Sequence, residues 1–305
     1  DMDTILITVG TVLVGNNLTK KLIEKGHKVR ILSRSKTGSK GGIDYYRWNV
    51  GHNEIDNHAL IGVDSIVHLA GAGVADGPWS ERYKKEIIDS RVDSIQLLFK
   101  KCQALKAFPT SIISASGTAF YGFDNSDKIY DESSKAGEGF LTEVSEKWEQ
   151  ASADFEKYNV RRVVLRIGVV LSDEGGALSS IKMPFQFGIG SAIGTGKQPF
   201  PWIHIDDLTN AIIHSINNQK MNGVFNAVAP ETVTNGEFSK TLAQEMGKPF
   251  WAPNVPSFVL RIILGKEKAD EMLLNGAHVS SKKLEEAGLS FQFPKVSLAL
   301  KEALK

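Results

Sequence analysis

The sequence has one cysteine, no long hydrophobic run and almost no net charge, and each of these absences excludes a class of protein. Cys102 has no second cysteine with which to form an internal disulfide, which favours a reducing, cytoplasmic setting. The apolar runs are too short to span a bilayer. With 36 basic and 35 acidic residues, no basic stripe favours nucleic acid or a lipid surface. We therefore expect a cytoplasmic protein that binds neither.

Short β-branched segments alternate with longer helical patterns through the first two-thirds of the chain. This alternation predicts a parallel sheet covered by helices on both faces. The predicted strands lie at residues 4–8, 28–33, 44–48, 65–69, 111–116 and 162–171. The predicted helices lie at residues 13–26, 80–105 and 141–158. The sequence thus predicts an α/β fold, a Rossmann-type doubly wound parallel sheet.

The pattern changes after Leu171, where a glycine-rich stretch with few periodic apolar positions begins. Such a stretch is more typical of a binding loop than of a core element. The chain from Asn235 onward is mainly helical in pattern. We predict a nucleotide-binding domain at residues 1–172, to which 201–230 return. A smaller, mostly helical C-terminal substrate lobe is expected to comprise 173–200 and 231–305.

The first predicted strand runs into the turn ITVGTVLVGNNL, in which glycine is scarce. A turn between a strand and a helix presents backbone N–H groups to a pyrophosphate, and glycines let the phosphates approach closely. Val9 and Val12 stand at two of the three usual glycine positions, and Gly15 at the third. An ordinary turn that binds no nucleotide is therefore an open alternative.

The second predicted strand ends in Ser33 and Arg34. NAD-binding proteins tend to carry an acidic residue there, whereas arginine suits the 2′-phosphate of NADP(H). A solvated basic turn is the alternative.

The fourth strand ends in small residues, against which a dinucleotide can lie. His68 at that strand end is interpreted as a packed histidine, because no second ligand stands at metal-binding spacing.

Eight motifs occur in the order found in one atypical branch of the extended short-chain dehydrogenase/reductases. They are GTVLVG, LSR, HLAG, WSERYKKEIIDSRVDS, SASGTAFYG, EKWE, LRIGVVLS and PWIHIDDL. Over essentially the whole chain the sequence resembles this sugar-epimerase-like branch, labelled "epimerase family" and similar to nucleoside-diphosphate-sugar epimerases. The resemblance implies an NADP(H) site formed by Gly10, Thr11, Leu13, Val14, Gly15, Ser33, Arg34, Leu69, Ala70, Gly71, Ile167 and Gly168. It also implies a small-molecule substrate beneath the C-terminal lobe.

The proton-donating Tyr-x-x-x-Lys pair of the wider superfamily is absent, because no tyrosine is followed by lysine four residues later. The pair would fall at Leu141 and Ser145. Three hydroxyl residues near the end of the fifth strand are the candidate catalytic residues, namely Ser116, Thr118 and Tyr121. For Tyr121 the alternative is an aromatic side chain that caps the turn.

The candidate substrate contacts are Gln186, Trp202 and His204. Arg166 lies within an apolar strand, so we expect it to have a carboxylate or ligand partner.

The leading hypothesis is an NADP(H)-binding oxidoreductase or epimerase-like enzyme for a small polar or nucleotide-sugar-like substrate. The alternatives are a non-catalytic dinucleotide sensor and a scaffold that has lost the cofactor. No metal site is expected, and nothing in the sequence specifies an oligomer, for which a homodimer is one option.

Overall fold

The computed structural model describes residues 2–8 and 12–305. These form two compact units. The first unit consists of residues 1–116, 146–165 and 211–224, and the second of residues 117–145, 166–210 and 225–305. The second unit is larger than the expected C-terminal lobe because it also contains residues 117–145, 166–172, 201–210 and 225–230. Whether cofactor and substrate binding divide along the predicted boundaries stays a prediction.

The strands are numbered in chain order. They are β1 Thr4–Thr8, β2 Lys28–Ser33, β3 Gly38–Lys40, β4 Ile43–Asn49, β5 Glu54–Ile55, β6 Ser65–His68, β7 Ser111–Gly117, β8 Ile129–Tyr130, β9 Arg161–Ile167, β10 Val169–Leu171, β11 Trp202–His204, β12 Gly223–Ala227 and β13 His278–Val279. The main sheet has the strand order β12-β9-β7-β6-β1-β2-β4-β3, with β5 paired to β4. The pairs β1–β2, β1–β6, β2–β4 and β6–β7 are parallel, whereas β3–β4 and β4–β5 are antiparallel.

The helices are also numbered in chain order. They are α1 Val12–Glu24, α2 Glu81–Leu105, α3 Phe140–Ala151, α4 Ala177–Ile181, α5 Met183–Gln186, α6 Ile205–Asn217, α7 Asn235–Met246, α8 Ser257–Leu264, α9 Lys266–Ala269, α10 Lys282–Glu286 and α11 Val296–Ala303. Short 3-10 helices lie at Val50–His52, Thr118–Tyr121 and Ala153–Tyr158, and a π-helix at Asp270–Leu274. A mostly parallel sheet with flanking helices is the predicted Rossmann-type α/β fold.

Local sequence explains where several helices begin and end. The Ser80 hydroxyl caps α2 by accepting a hydrogen bond from the Tyr83 N–H. The Thr234 hydroxyl caps α7 by accepting a hydrogen bond from the Glu237 N–H, and it also donates to the Glu237 carboxylate. Gly26 follows the end of α1 with φ 87°, a left-handed conformation that glycine adopts readily after a helix. The predicted helix at 141–158 is α3 followed by the 3-10 helix Ala153–Tyr158.

The first unit is built around an apolar core between the sheet and its helices. Leu6, Ile66 and Ile112 contribute from three neighbouring strands, and Leu98 from α2, and each is fully buried. Cys102 belongs to the same core, and burial raises the pKa of its thiol to about 12. Cys102 is thus a small packing residue of this core.

The second unit has its own core, formed by the parallel pair β10–β11 and the helices of the C-terminal region. Trp202 of β11 packs with Phe238 and Leu242 of α7 and with Leu300 of α11. A second small parallel pair joins β8 and β13 in this unit. The mainly helical pattern predicted from Asn235 onward agrees with helices α7 to α11.

The N-terminus of α3 is capped by a residue distant in sequence. The two carboxylate oxygens of Glu271 accept hydrogen bonds from the Phe140 N–H at 3.0 Å and the Leu141 N–H at 2.7 Å. A carboxylate at this end satisfies backbone donors that have no partner in the helix and also favours the helix dipole.

We predict that Glu271→Gln lowers the free energy of unfolding by about 1–2 kcal/mol. The glutamine amide has one acceptor oxygen, whereas the two backbone N–H groups each bind a separate oxygen of the Glu271 carboxylate. Urea denaturation of the purified protein measures this change. Glu267→Gln, on the exposed face of α9, is the matched control and should change stability much less. Equal stability of the two variants would contradict the capping role.

Candidate functional site

The candidate site lies at the carboxyl edge of the sheet in the first unit. From β1 the chain moves outward to β2 and β4, then returns through β6 to the opposite side of β1. Thr8 is in register with Leu32 of β2 and with His68 of β6, so the three strands end together. Beside β1 the strand order reverses, and ligands of such sheets bind at this reversal. The Leu69 N–H donates to both the carbonyl and the hydroxyl oxygen of Thr8, each at 3.1 Å.

Helix α1 begins at Val12, a few residues after β1. The first N–H groups of a helix lack partners within it and favour an anion, and no acidic residue stands in this first turn. Val14 and Gly15 are buried, whereas Val12 is 66% exposed. Two of the predicted cofactor residues, Gly10 and Thr11, and also Val9, lie outside the described residues.

The turn after β2 presents a basic side chain at the same edge. The Ser33 hydroxyl accepts hydrogen bonds from the backbone N–H groups of Ser35 at 3.2 Å and Lys36 at 3.0 Å, which fixes the turn. Arg34 is exposed there. A guanidinium in this position has the geometry to bind a phosphate through two parallel hydrogen bonds. These residues fit a 2′-phosphate, which is the group that the sequence assigns to them.

The strand end at residues 69–72 is fixed by Arg91 of α2. The Arg91 guanidinium donates to the carbonyl oxygens of Ala72 at 2.8 Å and Ile87 at 2.9 Å. It also lies over the Trp148 ring, 4.6 Å from the centroid. A Cβ atom on Gly71 would come within 2.8 Å of this guanidinium, so glycine is required there. Leu69 and Ala70 are buried.

His68 at the end of β6 is a fully buried, hydrogen-bonded histidine. The Ser94 hydroxyl donates to the Arg91 carbonyl oxygen at 3.0 Å, so the His68 Nε2–H donates to the Ser94 oxygen at 2.7 Å. His68 Nδ1 then accepts from the Trp148 indole at 3.3 Å. A second ring proton would face this indole donor. Burial and the Arg91 charge lower the pKa of His68 to about 3.

Ser116 is a candidate catalytic residue with an engaged hydroxyl. It is 3% exposed and donates a 2.6 Å hydrogen bond to the carboxylate of Glu149 on α3, within the first unit. Sequence reasoning missed Glu149, although it stands in the EKWE motif. Thr118, in the second unit, is half-buried, and no described residue hydrogen-bonds its hydroxyl.

Tyr121, the third candidate, lies inside the second unit and is 2% exposed. Its hydroxyl donates to Asn226 Oδ1 at 2.6 Å and accepts from the Arg166 guanidinium at 2.9 Å. Arg166 also stacks on the Phe120 ring, 3.4 Å from the centroid. Burial outweighs the Arg166 charge and raises the pKa of Tyr121 to about 12. The environment therefore stabilises the protonated phenol.

The predicted strand at 162–171 is two strands, β9 and β10, divided at Gly168. Its single-strand prediction is wrong, because the chain bends to pair β10 with β11. A Cβ atom on Gly168 would lie 3.0 Å from the Pro201 backbone, which is tighter than most Cβ contacts, so glycine favours this close approach. Ile167 and Gly168 are half-buried, and their contact with the cofactor stays a prediction.

The predicted substrate residues have different surroundings in the second unit. Gln186 is exposed at the end of α5. Trp202 is buried, and its indole N–H donates to the Glu231 carbonyl at 3.0 Å. His204 is buried beside Phe293, and its Nδ1 accepts from the Asp206 N–H at 3.1 Å. Burial lowers the pKa of His204. Substrate contact by these three residues stays a prediction.

Two features are absent from the described residues, 2–8 and 12–305. No group of three or more His, Cys, Asp or Glu side chains comes together in a way that could hold a metal ion. Within the same residues, no helix is both long and apolar enough to cross a membrane.

Comparison with known proteins gives matches along nearly the whole chain. The model of the NAD dependent epimerase/dehydratase family matches residues 5–227, and a domain of unknown function, DUF1731, matches residues 255–303. The human protein named "Epimerase family protein SDR39U1" is 36% identical over 301 residues, which cover 98% of each chain.

Solved structures give matches of two kinds. The crystal structure of human SDR39U1 (isoform 2) with NADPH has a TM-score of 0.87 and 33% sequence identity, and the match covers 99% of each chain. A UDP-glucose 4-epimerase from Thermotoga maritima, solved with UDP-glucose, has a TM-score of 0.80 at 19% identity, covering 99% of this chain and 97% of that one. The second likeness shows the fold alone.

The buried His68 predicts a specific pH dependence of stability. Its pKa is about 3 in the folded protein against 6.5 ordinarily, so below pH 6.5 the unfolded chain takes up a proton that the folded chain refuses. This contribution to stability is complete above that pH and is lost as the pH falls. Between about pH 7 and pH 5 it amounts to about 2 kcal/mol of unfolding free energy.

Urea denaturation at both pH values measures this loss. Because carboxylates titrate as well, the measure is the difference between wild type and His68→Gln, which should lose about 2 kcal/mol less on acidification. His58→Gln, at an exposed histidine, should retain the wild-type pH dependence. Identical pH dependence in wild type and His68→Gln would show that His68 is not held neutral.

Proposed function

This chain belongs to the NAD dependent epimerase/dehydratase family, and from that premise we propose that it is an NADP(H)-dependent oxidoreductase of the epimerase-like kind. The observation that supports this proposal most is the exposed Arg34 at the end of β2. It stands at the sheet edge where α1 begins, so a 2′-phosphate and a pyrophosphate can be bound together. A relative of 33% identity was crystallised with NADPH.

The residues of the first unit divide the binding of the cofactor among them. The first turn of α1, including Leu13, Val14 and Gly15, offers backbone N–H groups to the pyrophosphate. Ser33 shapes the turn from which Arg34 reaches the 2′-phosphate. The small residues Ala70 and Gly71 leave room for the nucleotide, and Arg91 fixes the position of this segment through the Ala72 carbonyl. When bound, NADP(H) supplies or accepts hydride.

Thr118 is the candidate hydroxyl best placed to act on a substrate. The hydroxyls of Ser116 and Tyr121 are buried and already engaged, whereas that of Thr118 has no described hydrogen-bond partner. We assign to Thr118 the orientation of a substrate carbonyl or alcohol oxygen. Ser116 and Tyr121 instead hold their hydrogen-bonding partners, Glu149 in the first unit and Arg166 in the second.

The proposed substrate is a small molecule that carries a carbonyl or an alcohol. The sequence hypothesis of a polar, nucleotide-sugar-like substrate rests on the resemblance. The structure solved with UDP-glucose shares only 19% sequence identity with this chain, so its ligand gives no evidence about the substrate of this chain.

A non-catalytic NADP(H) sensor is the second candidate function. This candidate is favoured by the engaged hydroxyls of Ser116 and Tyr121. The pKa of the Tyr121 phenol is raised, and the proton-donating pair with lysine is absent from the sequence, so Tyr121 is a poor proton donor at neutral pH. The two candidates share the cofactor site and differ in turnover.

We predict that Arg34→Ser weakens NADPH binding by tenfold or more and leaves NADH binding nearly unchanged, because the charge-assisted contact to the 2′-phosphate is lost. Titration with each cofactor, followed by cofactor fluorescence, measures both affinities. Lys20→Ser, which removes the same charge from an exposed position of α1, should bind both as wild type does. Equal weakening for both cofactors would refute Arg34 as the selector.

We predict that Val12→Gly tightens NADPH binding several-fold, because it removes a branched side chain from the first turn of α1, where phosphates approach the backbone. The same titration measures the change. Val259→Gly, a half-buried valine in the second unit, is the control for the added flexibility of glycine in a helix and should leave NADPH binding unchanged. Unchanged binding by Val12→Gly would place the phosphates elsewhere.

We predict that Thr118→Val lowers the rate of NADPH oxidation at least tenfold without changing NADPH affinity, because valine keeps the shape and removes the hydroxyl. Loss of NADPH absorbance with a panel of aldehydes, ketones and quinones measures the rate. Thr232→Val, at an exposed threonine, should behave as wild type. NADPH binding without turnover of any member of the panel would favour the sensor.

A further inference from the structure

The second unit contains a cavity of about 510 Å³ that no sequence motif pointed to. Its walls come from α4, α5 and the glycine-rich segment that follows them, from α7 and α8, and from the π-helix Asp270–Leu274. This volume is typical of sites for small organic molecules. The glycine-rich segment was predicted to form a binding loop, and Ile189, Ser191 and Ile193 place it on the cavity wall.

The lining of this cavity is apolar. Aromatic and aliphatic side chains make up most of it, among them Phe185, Phe200, Phe238, Leu260 and Met272. None of the described residues on its walls carries a charge. A diphosphate moved from water into such surroundings would lose its hydration without gaining a counter-charge, which is strongly unfavourable. A ligand with an uncharged, apolar body meets no such penalty.

Two polar groups stand together on one wall. Asn235 and Ser239 are four residues apart in α7 and therefore share a face. The Ile193 N–H donates to Asn235 Oδ1 at 2.8 Å, which orients the amide and leaves its NH₂ group as a donor. No described residue accepts from this NH₂ group, and none hydrogen-bonds the Ser239 hydroxyl. Both side chains are buried and line the cavity.

We propose that this cavity binds an uncharged apolar molecule with a single carbonyl or hydroxyl oxygen, which Asn235 and Ser239 hydrogen-bond. The apolar walls bind the carbon skeleton, and the amide and hydroxyl donors fix the position of the oxygen. Nucleotide sugars are excluded as occupants by the absence of charge on the walls. Every residue that lines the cavity belongs to the second unit.

The test uses the full-length protein without cofactor and the fluorescent ketone Prodan, an uncharged naphthalene with one carbonyl. We expect saturable binding with a blue-shifted emission. Leu260→Trp, which fills the cavity, should weaken binding at least tenfold. Ile262→Trp is the matched control, since it makes a similar substitution on the same helix at a strongly exposed position, and should bind Prodan as wild type does. Thermal melting shows whether both variants fold.

Competition experiments test the role of the oxygen. Acetylnaphthalene should displace Prodan several-fold more effectively than isopropylnaphthalene, which has a similar shape without the oxygen, because one hydrogen bond is worth about that factor. Ser239→Ala should reduce this difference. Displacement by UDP-glucose, no saturable binding, or equal binding by the Leu260 and Ile262 variants would overturn the proposal. Failure of NADPH binding would refute the proposed function and leave this result unaffected.

Discussion

The buried guanidinium of Arg91 connects parts of the first unit that are far apart in sequence. It joins α2 to the end of β6 through the Ala72 carbonyl and to α3 through the Trp148 ring. Burial lowers its pKa to about 10, so the side chain is still charged at neutral pH. The described carboxylates form no ion pair with it, and carbonyl dipoles and an aromatic face solvate the charge instead. Burial, together with the Arg91 charge, keeps His68 neutral, and the position of the guanidinium favours glycine at residue 71.

The strands β1, β2, β6 and β7 could be predicted from the sequence because they are largely buried and rich in β-branched residues. Their positions, and that of β4, agree with the prediction to within a residue at each end. Short elements such as β3, β5 and β8 were not predicted, since two or three residues carry no periodicity. The break between β9 and β10 was missed for a different reason. It depends on how closely residue 201 approaches Gly168, and local sequence does not contain that information.

The site was predictable in part. Strand ends and small or basic residues after them are visible in a sequence, so Arg34 and the segment 69–71 could be placed at the carboxyl edge. The state of a hydroxyl is not visible in this way. Their position near the end of the fifth strand made Ser116, Thr118 and Tyr121 candidates, but the hydrogen-bond partners of Ser116 and Tyr121, Glu149 and Asn226, lie 33 and 105 residues away. The apolar cavity was likewise hidden, because its walls come from separated segments.

The division of these roles between the two units has a consequence for how such proteins diversify. Every residue that lines the apolar cavity belongs to the second unit, whereas Arg34, Arg91 and the first turn of α1 belong to the first. Substitutions at Phe200, Leu260 or Ser239 can therefore reshape one recognition surface without touching the parallel sheet or its basic edge. Variation among relatives at the cavity residues can therefore be compared separately from variation at the basic sheet edge.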